Sequence, residues 1–119
     1  MFDKIILEGA FTSFKECVAH IAPCKLGYLF ACACKARWRT IDIISQVKEP
    51  IFFVTGDGDK IVPSWMSRQL QCAAVNSMYT ELYIMTGAKH GHLWASGDEY
   101  WNTINTYLDR DDRSPLPAN

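Results

Sequence analysis

The run Ile51-Phe52-Phe53-Val54 constrains this chain most. Four consecutive apolar residues leave neither face of a strand polar, the pattern of a strand buried on both sides. Pro50 in front and Gly56-Asp57-Gly58 behind cut the run too short for a helix. The run therefore predicts a central strand of a parallel sheet, with helices covering each face. The rest of the chain has to supply those helices.

The flanking pattern does so. Ile5-Ile6-Leu7, followed by Glu8-Gly9, reads as a buried strand ending in a turn. Residues 14–35 carry apolar groups at mixed spacing, interrupted by Pro23 and Gly27, and predict two short helices. Trp38 to Val47 is a connector with a short helix, for which Thr40 and Asp42 are candidate caps. Pro63 falls where a first helical turn tolerates proline, and Trp65, Met66, Leu70, Ala73 and Ala74 keep helical spacing to about Val75. Glu81 to Met85 reads as the next strand. Glu99, Tyr100, Trp101, Ile104, Tyr107 and Leu108 have helical period, with a cap within Ser96 to Asp98. Strands alternating with helices predict an α/β fold of about three parallel strands flanked by helices. Residues 1–108 form that unit, and 109–119 read as a polar, flexible tail.

Charge and cysteine content narrow the function classes. Lys and Arg total 12 against 13 Asp and Glu, a net charge of −1. A nucleic-acid clamp or a polybasic membrane binder needs an excess of cations. The longest apolar run, Tyr28 to Cys34, is far below the ~20 residues of a membrane span. The N-terminus lacks the long apolar region of a secretory signal. Cys17, Cys24, Cys32, Cys34 and Cys72 make an odd set without Cys-x-x-Cys spacing, read as reduced and mostly buried.

The two loops after the second and third strands hold the chemistry. Both end at the C-terminal edge of the sheet, where open α/β sheets place ligand sites. Asp59 and His90 lie on them, separated by one helix and one strand, a spacing that returns the chain to the same edge. A carboxylate bonded to an imidazole fixes its tautomer and stabilises its protonated form, making it a base for a hydroxyl or thiol nucleophile. Asp57 is a competing carboxylate and His92 a second imidazole. Plainer readings stand beside this one. Gly and Asp suit turns, and a loop histidine is commonly just exposed. The calcium-loop pattern is absent. His90 and His92 lack third and fourth zinc ligands at recognisable spacing, so no metal or other cofactor is expected. Cys32-Ala33-Cys34 reads as buried thiols ahead of a redox, metal or palmitoylation pair, and Trp94, Tyr100 and Trp101 as packing. His20 reads as a surface residue, and Phe11-Thr12-Ser13 as a turn, a cap or a pocket wall.

Five segments, in order, resemble the α/β-hydrolase family. Glu8-Gly9-Ala10-Phe11-Thr12-Ser13-Phe14 resembles the segment after strand six, and Arg37-Trp38-Arg39-Thr40 a basic-Trp element. Gly56-Asp57-Gly58-Asp59-Lys60-Ile61-Val62-Pro63 resembles the acid loop G-x-x-D-x-x-V-P. Gly87-Ala88-Lys89-His90-Gly91-His92-Leu93-Trp94 resembles the histidine loop G-x-x-H-x-x-x-W, and Tyr100 to Ile104 the last helix. The resemblance runs from about Ile5 to Leu108 and is to the α/β-hydrolase domain-containing protein 13 branch of serine hydrolases. It implies the C-terminal part of the fold, with Asp59 as triad acid and His90 as triad base. Asp59 is favoured over Asp57 by its distance to Val62-Pro63. Where this branch often has Asn-Asp after the histidine, this chain has Gly91 and His92. The branch usually carries an N-terminal anchor. Location therefore stays open between the cytoplasm and a membrane reached through an upstream anchor.

The nucleophile elbow G-x-S-x-G has no match. Ser13, Ser45, Ser64, Ser67, Ser77, Ser96 and Ser114 all lack the flanking glycines, as do the cysteines. The expected function is a serine hydrolase of esters, thioesters or amides, to which this chain contributes acid and base but no nucleophile. By itself it is expected to be inactive. The alternative is a non-catalytic remnant or binding module. A small acyl substrate is the expected partner once an N-terminal half completes the site. The first strand should leave an open apolar edge through which the chain associates, with marginal stability when alone.

Overall fold

In a computed structural model, which describes residues 3–22, 25–33 and 38–110, three parallel strands lie in the order β1 (Ile5–Glu8), β2 (Ile51–Gly56), β3 (Thr80–Met85). Ile5 pairs with Ile51, and Ile51 with Thr80, in unbroken register to Gly56 and Met85. Helices α1 (Phe14–Ile21), α2 (Lys25–Ala33) and α3 (Thr40–Ile43) connect β1 to β2. Helix α4 (Ser64–Ala73) connects β2 to β3, and α5 (Asp98–Asp109) follows β3.

Side chains of β2 alternate between two cores. Ile51 and Phe53 pack with Ile44, Leu70 and Ala74, the layer that includes α4. Phe52 and Val54 pack with Met85, Leu93, Ile104 and Tyr107, the layer that includes α5. The Phe52 ring stacks on Tyr107 at 4.7 Å between centroids. All six residues of β2 are buried, which is why the run has no polar position. Strand β1 is only half-buried, short of the buried strand the sequence suggests, because it lies at the sheet edge with a single neighbour.

The end of α5 is tied to the start of the chain. Lys4 Nζ donates to the carbonyls of Tyr107 (3.1 Å) and Leu108 (2.9 Å), placing a cation where the helix leaves acceptors unpaired. The helix reaches Asp109, one residue into the stretch read as tail, and Arg110 pairs with Glu81 at 2.6 Å. Residues 111–119 lie outside the described residues.

Several local expectations are corrected. Neither Thr40 nor Asp42 caps α3: Arg39 holds the cap position without a capping bond, and its guanidinium pairs with Asp42. The cap of α5 does fall within Ser96 to Asp98: it is Gly97, at φ +63°, which leaves Asp98 and Glu99 in the first turn, where the helix dipole favours anions. Pro63 is the cap of α4, just before the first turn, and α4 stops at Ala73, short of Val75. The thiols are not mostly buried: Cys17 is, but Cys32 and Cys72 are exposed, while Cys24 and Cys34 lie outside the described residues. Cys32 is open because α2 packs mainly on α1, with Leu26, Leu29 and Phe30 also exposed. Trp94 and Trp101 are 60% and 54% exposed, so they do not fill the core. Tyr100 does pack against it. Among the described residues no helix is long and apolar enough to cross a membrane.

Candidate acid–base site

The acid loop begins where β2 runs out. Gly56 lies against Ala88: a Cβ there would be 2.1 Å from the Ala88 carbonyl oxygen, so only glycine lets the two loops touch. The Gly58 amide then donates to that carbonyl at 3.1 Å. The two loops are thus fastened together directly past the ends of neighbouring strands.

Asp59 is buried, with 4% of its side chain exposed. Its Oδ1 accepts the backbone N–H groups of Ile61 (2.9 Å) and Val62 (2.8 Å). Its Oδ2 meets Nδ1 of His90 at 2.9 Å. A carboxylate only accepts, so Nδ1 carries the proton, and in the neutral ring Nε2 presents the lone pair. The His90 side chain is 43% exposed, open on the face away from its anchor.

The other two candidates point elsewhere. Asp57 is exposed, and its Oδ1 accepts the Gly87 amide at 2.5 Å. His92 Nδ1 meets the backbone oxygen of His90 at 2.8 Å, and its ring stacks near Trp94, 6.4 Å between centroids. Trp94 Nε1 donates to the Gly91 carbonyl at 3.0 Å. Among the described residues no group of three His, Cys, Asp or Glu side chains is placed to hold a metal ion.

Two neighbours of Asp59 escape a reading of the sequence. Gly9, at φ +54°, follows β1, and a Cβ there would be 3.8 Å from Asp59 Oδ2. Cys17 on α1 donates its thiol to the Ile61 carbonyl at 3.5 Å and packs with Val62 and Met66. Burial, and secondarily the Asp59 charge, push its pKa up. The Glu8-Gly9 turn was a signal for the first; nothing in the spacing signals the second. Ser13 caps α1 by accepting the Glu16 amide at 3.2 Å, and the Thr12 hydroxyl donates to the Glu16 carboxylate. Of the Phe11-Thr12-Ser13 segment, Ser13 is therefore the cap.

No family model matches the chain. It is 29% identical to the α/β hydrolase domain-containing protein WAV2 of Arabidopsis thaliana, over 89% of this chain and 38% of that one. The chain thus spans well under half of that relative's length. Among solved structures it resembles the acylaminoacyl peptidase of Pyrococcus horikoshii, with TM-score 0.69 and 13% identity, over 99% of this chain and 22% of the other. The esterase Pf2001 of Pyrococcus furiosus gives TM-score 0.68 and 15% identity, over 92% and 44%. MGS-MChE2, an α/β hydrolase from a lagoon-sediment metagenome, gives TM-score 0.62 and 12% identity, over 89% and 49%. At these identities the structures speak for fold, and the plant relative adds similarity of sequence. The chain has the fold of the C-terminal portion of an α/β-hydrolase sheet and is similar in sequence to an α/β hydrolase domain-containing protein.

Proposed function

We propose that this chain supplies the acid and the base of a serine hydrolase acting on an ester, thioester or amide. The observation that carries the reading is the 2.9 Å bond from His90 Nδ1 to a buried Asp59 whose second oxygen is held by two backbone amides. Such a pair leaves Nε2 ready to take a proton. As a serine Oγ attacks the acyl carbon, His90 takes its proton and Asp59 stabilises the resulting imidazolium. His90 returns that proton to the leaving group as the acyl–enzyme forms. Water then attacks the acyl–enzyme by the same proton path. The serine and one oxyanion donor belong to a G-x-S-x-G segment, and the second donor to a separate loop, both outside these residues. The names of two structural neighbours, an esterase and a peptidase, agree with acyl transfer.

A second reading, a non-catalytic binding module, is favoured by one observation: none of the serines in the sequence stands in G-x-S-x-G. One experiment separates the two. The protein as produced in its own cells is exposed to a fluorophosphonate probe, alongside His90→Ala, Asp59→Asn and His92→Ala. Labelling that fails in the first two variants and survives in the third supports the hydrolase. Absence of labelling in the wild type supports the binding module.

A further inference from the structure

We infer that Asp57 is a positioning residue for His90: its carboxylate holds the Gly87 amide and so fixes where the imidazole meets Asp59. The inference rests on the acid–base reading of the Asp59–His90 pair. The two aspartates of the Gly-Asp-Gly-Asp segment divide the work. Asp59 is buried and meets the ring, while Asp57 is exposed and meets the backbone three residues before it.

The turn between β3 and His90 needs such a hold. The β2–β3 ladder ends at Met85, and Gly87 then turns the chain at φ +74°, with open space around its α-carbon. A glycine in an exposed turn has wide backbone freedom. The acid loop removes that freedom at three points. The Asp57 amide donates to the Met85 carbonyl and the Gly58 amide to the Ala88 carbonyl, each at 3.1 Å. The third point is the Gly87 N–H, which the Asp57 side chain accepts at 2.5 Å. Between them, these bonds hold Met85, Gly87 and Ala88, the run that leads into Lys89 and His90. A hydrogen bond from an amide to a carboxylate is charge-assisted and stronger than a neutral one. Asp57 has no bond to the imidazole; it acts through the backbone.

The test is NMR on the whole 119-residue chain, following solvent exchange of the His90 Nδ1–H and the Gly87 amide. Asp57→Ala should speed exchange of both by about tenfold or more, the factor expected for a lost charge-assisted bond. Asp57→Asn keeps an acceptor oxygen without the charge and should restore both part of the way toward the wild-type rate. The Phe53 amide, deep in the sheet, should not change in either variant. A purely structural role predicts a lower melting temperature with an unchanged His90 signal, and that result overturns the inference. If Asp57→Ala does not fold, the wild-type Gly87 amide decides: protection supports the role, and free exchange overturns it. A wild-type chain without a slowly exchanging Nδ1–H contradicts the acid–base reading itself, and the positioning role falls with it. That outcome is distinct from a normal signal that ignores Asp57.

Discussion

Asp59 and His90 are 31 residues apart in sequence and 2.9 Å apart in space. The helix and strand between them, α4 and β3, leave and return to the same sheet edge. Secondary structure brings the two loops together, and the bonds between them hold the turn that leads into His90. Gly56 and Gly58 let the loops close to backbone contact, and the amides of Ile61 and Val62 aim the carboxylate.

The closeness of the loops makes Gly56 a sensitive position. Gly56→Ala puts a methyl 2.1 Å from the Ala88 oxygen, a backbone atom that cannot swing aside. The expected loss is about 1–3 kcal/mol, as for other overpacked sites. Gly87→Ala meets no atom within 4 Å, but its φ of +74° costs roughly 1–2 kcal/mol. Urea titration measures both, and both should disturb the His90 Nδ1–H signal, because each shifts the backbone that leads into it.

The thiols should separate by reactivity. Cys17 is buried, and burial together with the Asp59 charge raises its pKa, so little of it is thiolate. Cys32 and Cys72 are exposed. Timed alkylation with mass mapping should show Cys32 and Cys72 modified well before Cys17. Equal rates would contradict the packing of α1 on the acid loop.

Tyr100 links α5 to the end of β1 by donating to Glu8 at 2.7 Å. Burial and the Glu8 carboxylate push its pKa up to about 12. The folded state therefore keeps its phenolic proton after the unfolded state, with a pKa of about 10, has lost it. Tyr100 contributes stability that is fully present below about pH 10 and is lost as pH rises toward 12. Tyr100→Phe should flatten the fall in stability over that window in alkaline denaturation curves. A variant curve parallel to the wild type would remove Tyr100 as the cause.

The isolated chain should be only marginally stable. Strand β1 is an edge strand, and Leu26, Leu29 and Phe30 expose apolar surface on α2. Calorimetry should show a melt no higher than the ~45–65 °C of ordinary mesophilic domains. A cooperative monomeric melt well above that range would contradict the expectation.

Much of this was legible in the sequence because the pattern was strong. The Ile51–Val54 run has no polar position, so its strand and both flanking layers follow from it. The Asp59–His90 spacing follows from the same alternation of elements. The resemblance favoured Asp59 over Asp57 by its distance to Val62-Pro63, but the physical basis of the choice was not legible. It depends on burial and on which carboxylate faces the ring, and these are set by the Ile61 and Val62 amides. The start of α3 was misread because no side chain caps it: Arg39 holds the cap position without a capping side-chain bond. The cysteines and tryptophans were misplaced because composition reports hydrophobicity but not which faces of α2, α4, α5 and the segment before α5 find a neighbour.

The most direct measurement is to map the fluorophosphonate adduct by mass spectrometry on the protein from its own cells. A base role for His90 predicts an adduct on the serine of a G-x-S-x-G peptide, absent in His90→Ala. An adduct on a serine between Ser13 and Ser114, or labelling that survives His90→Ala, would contradict it.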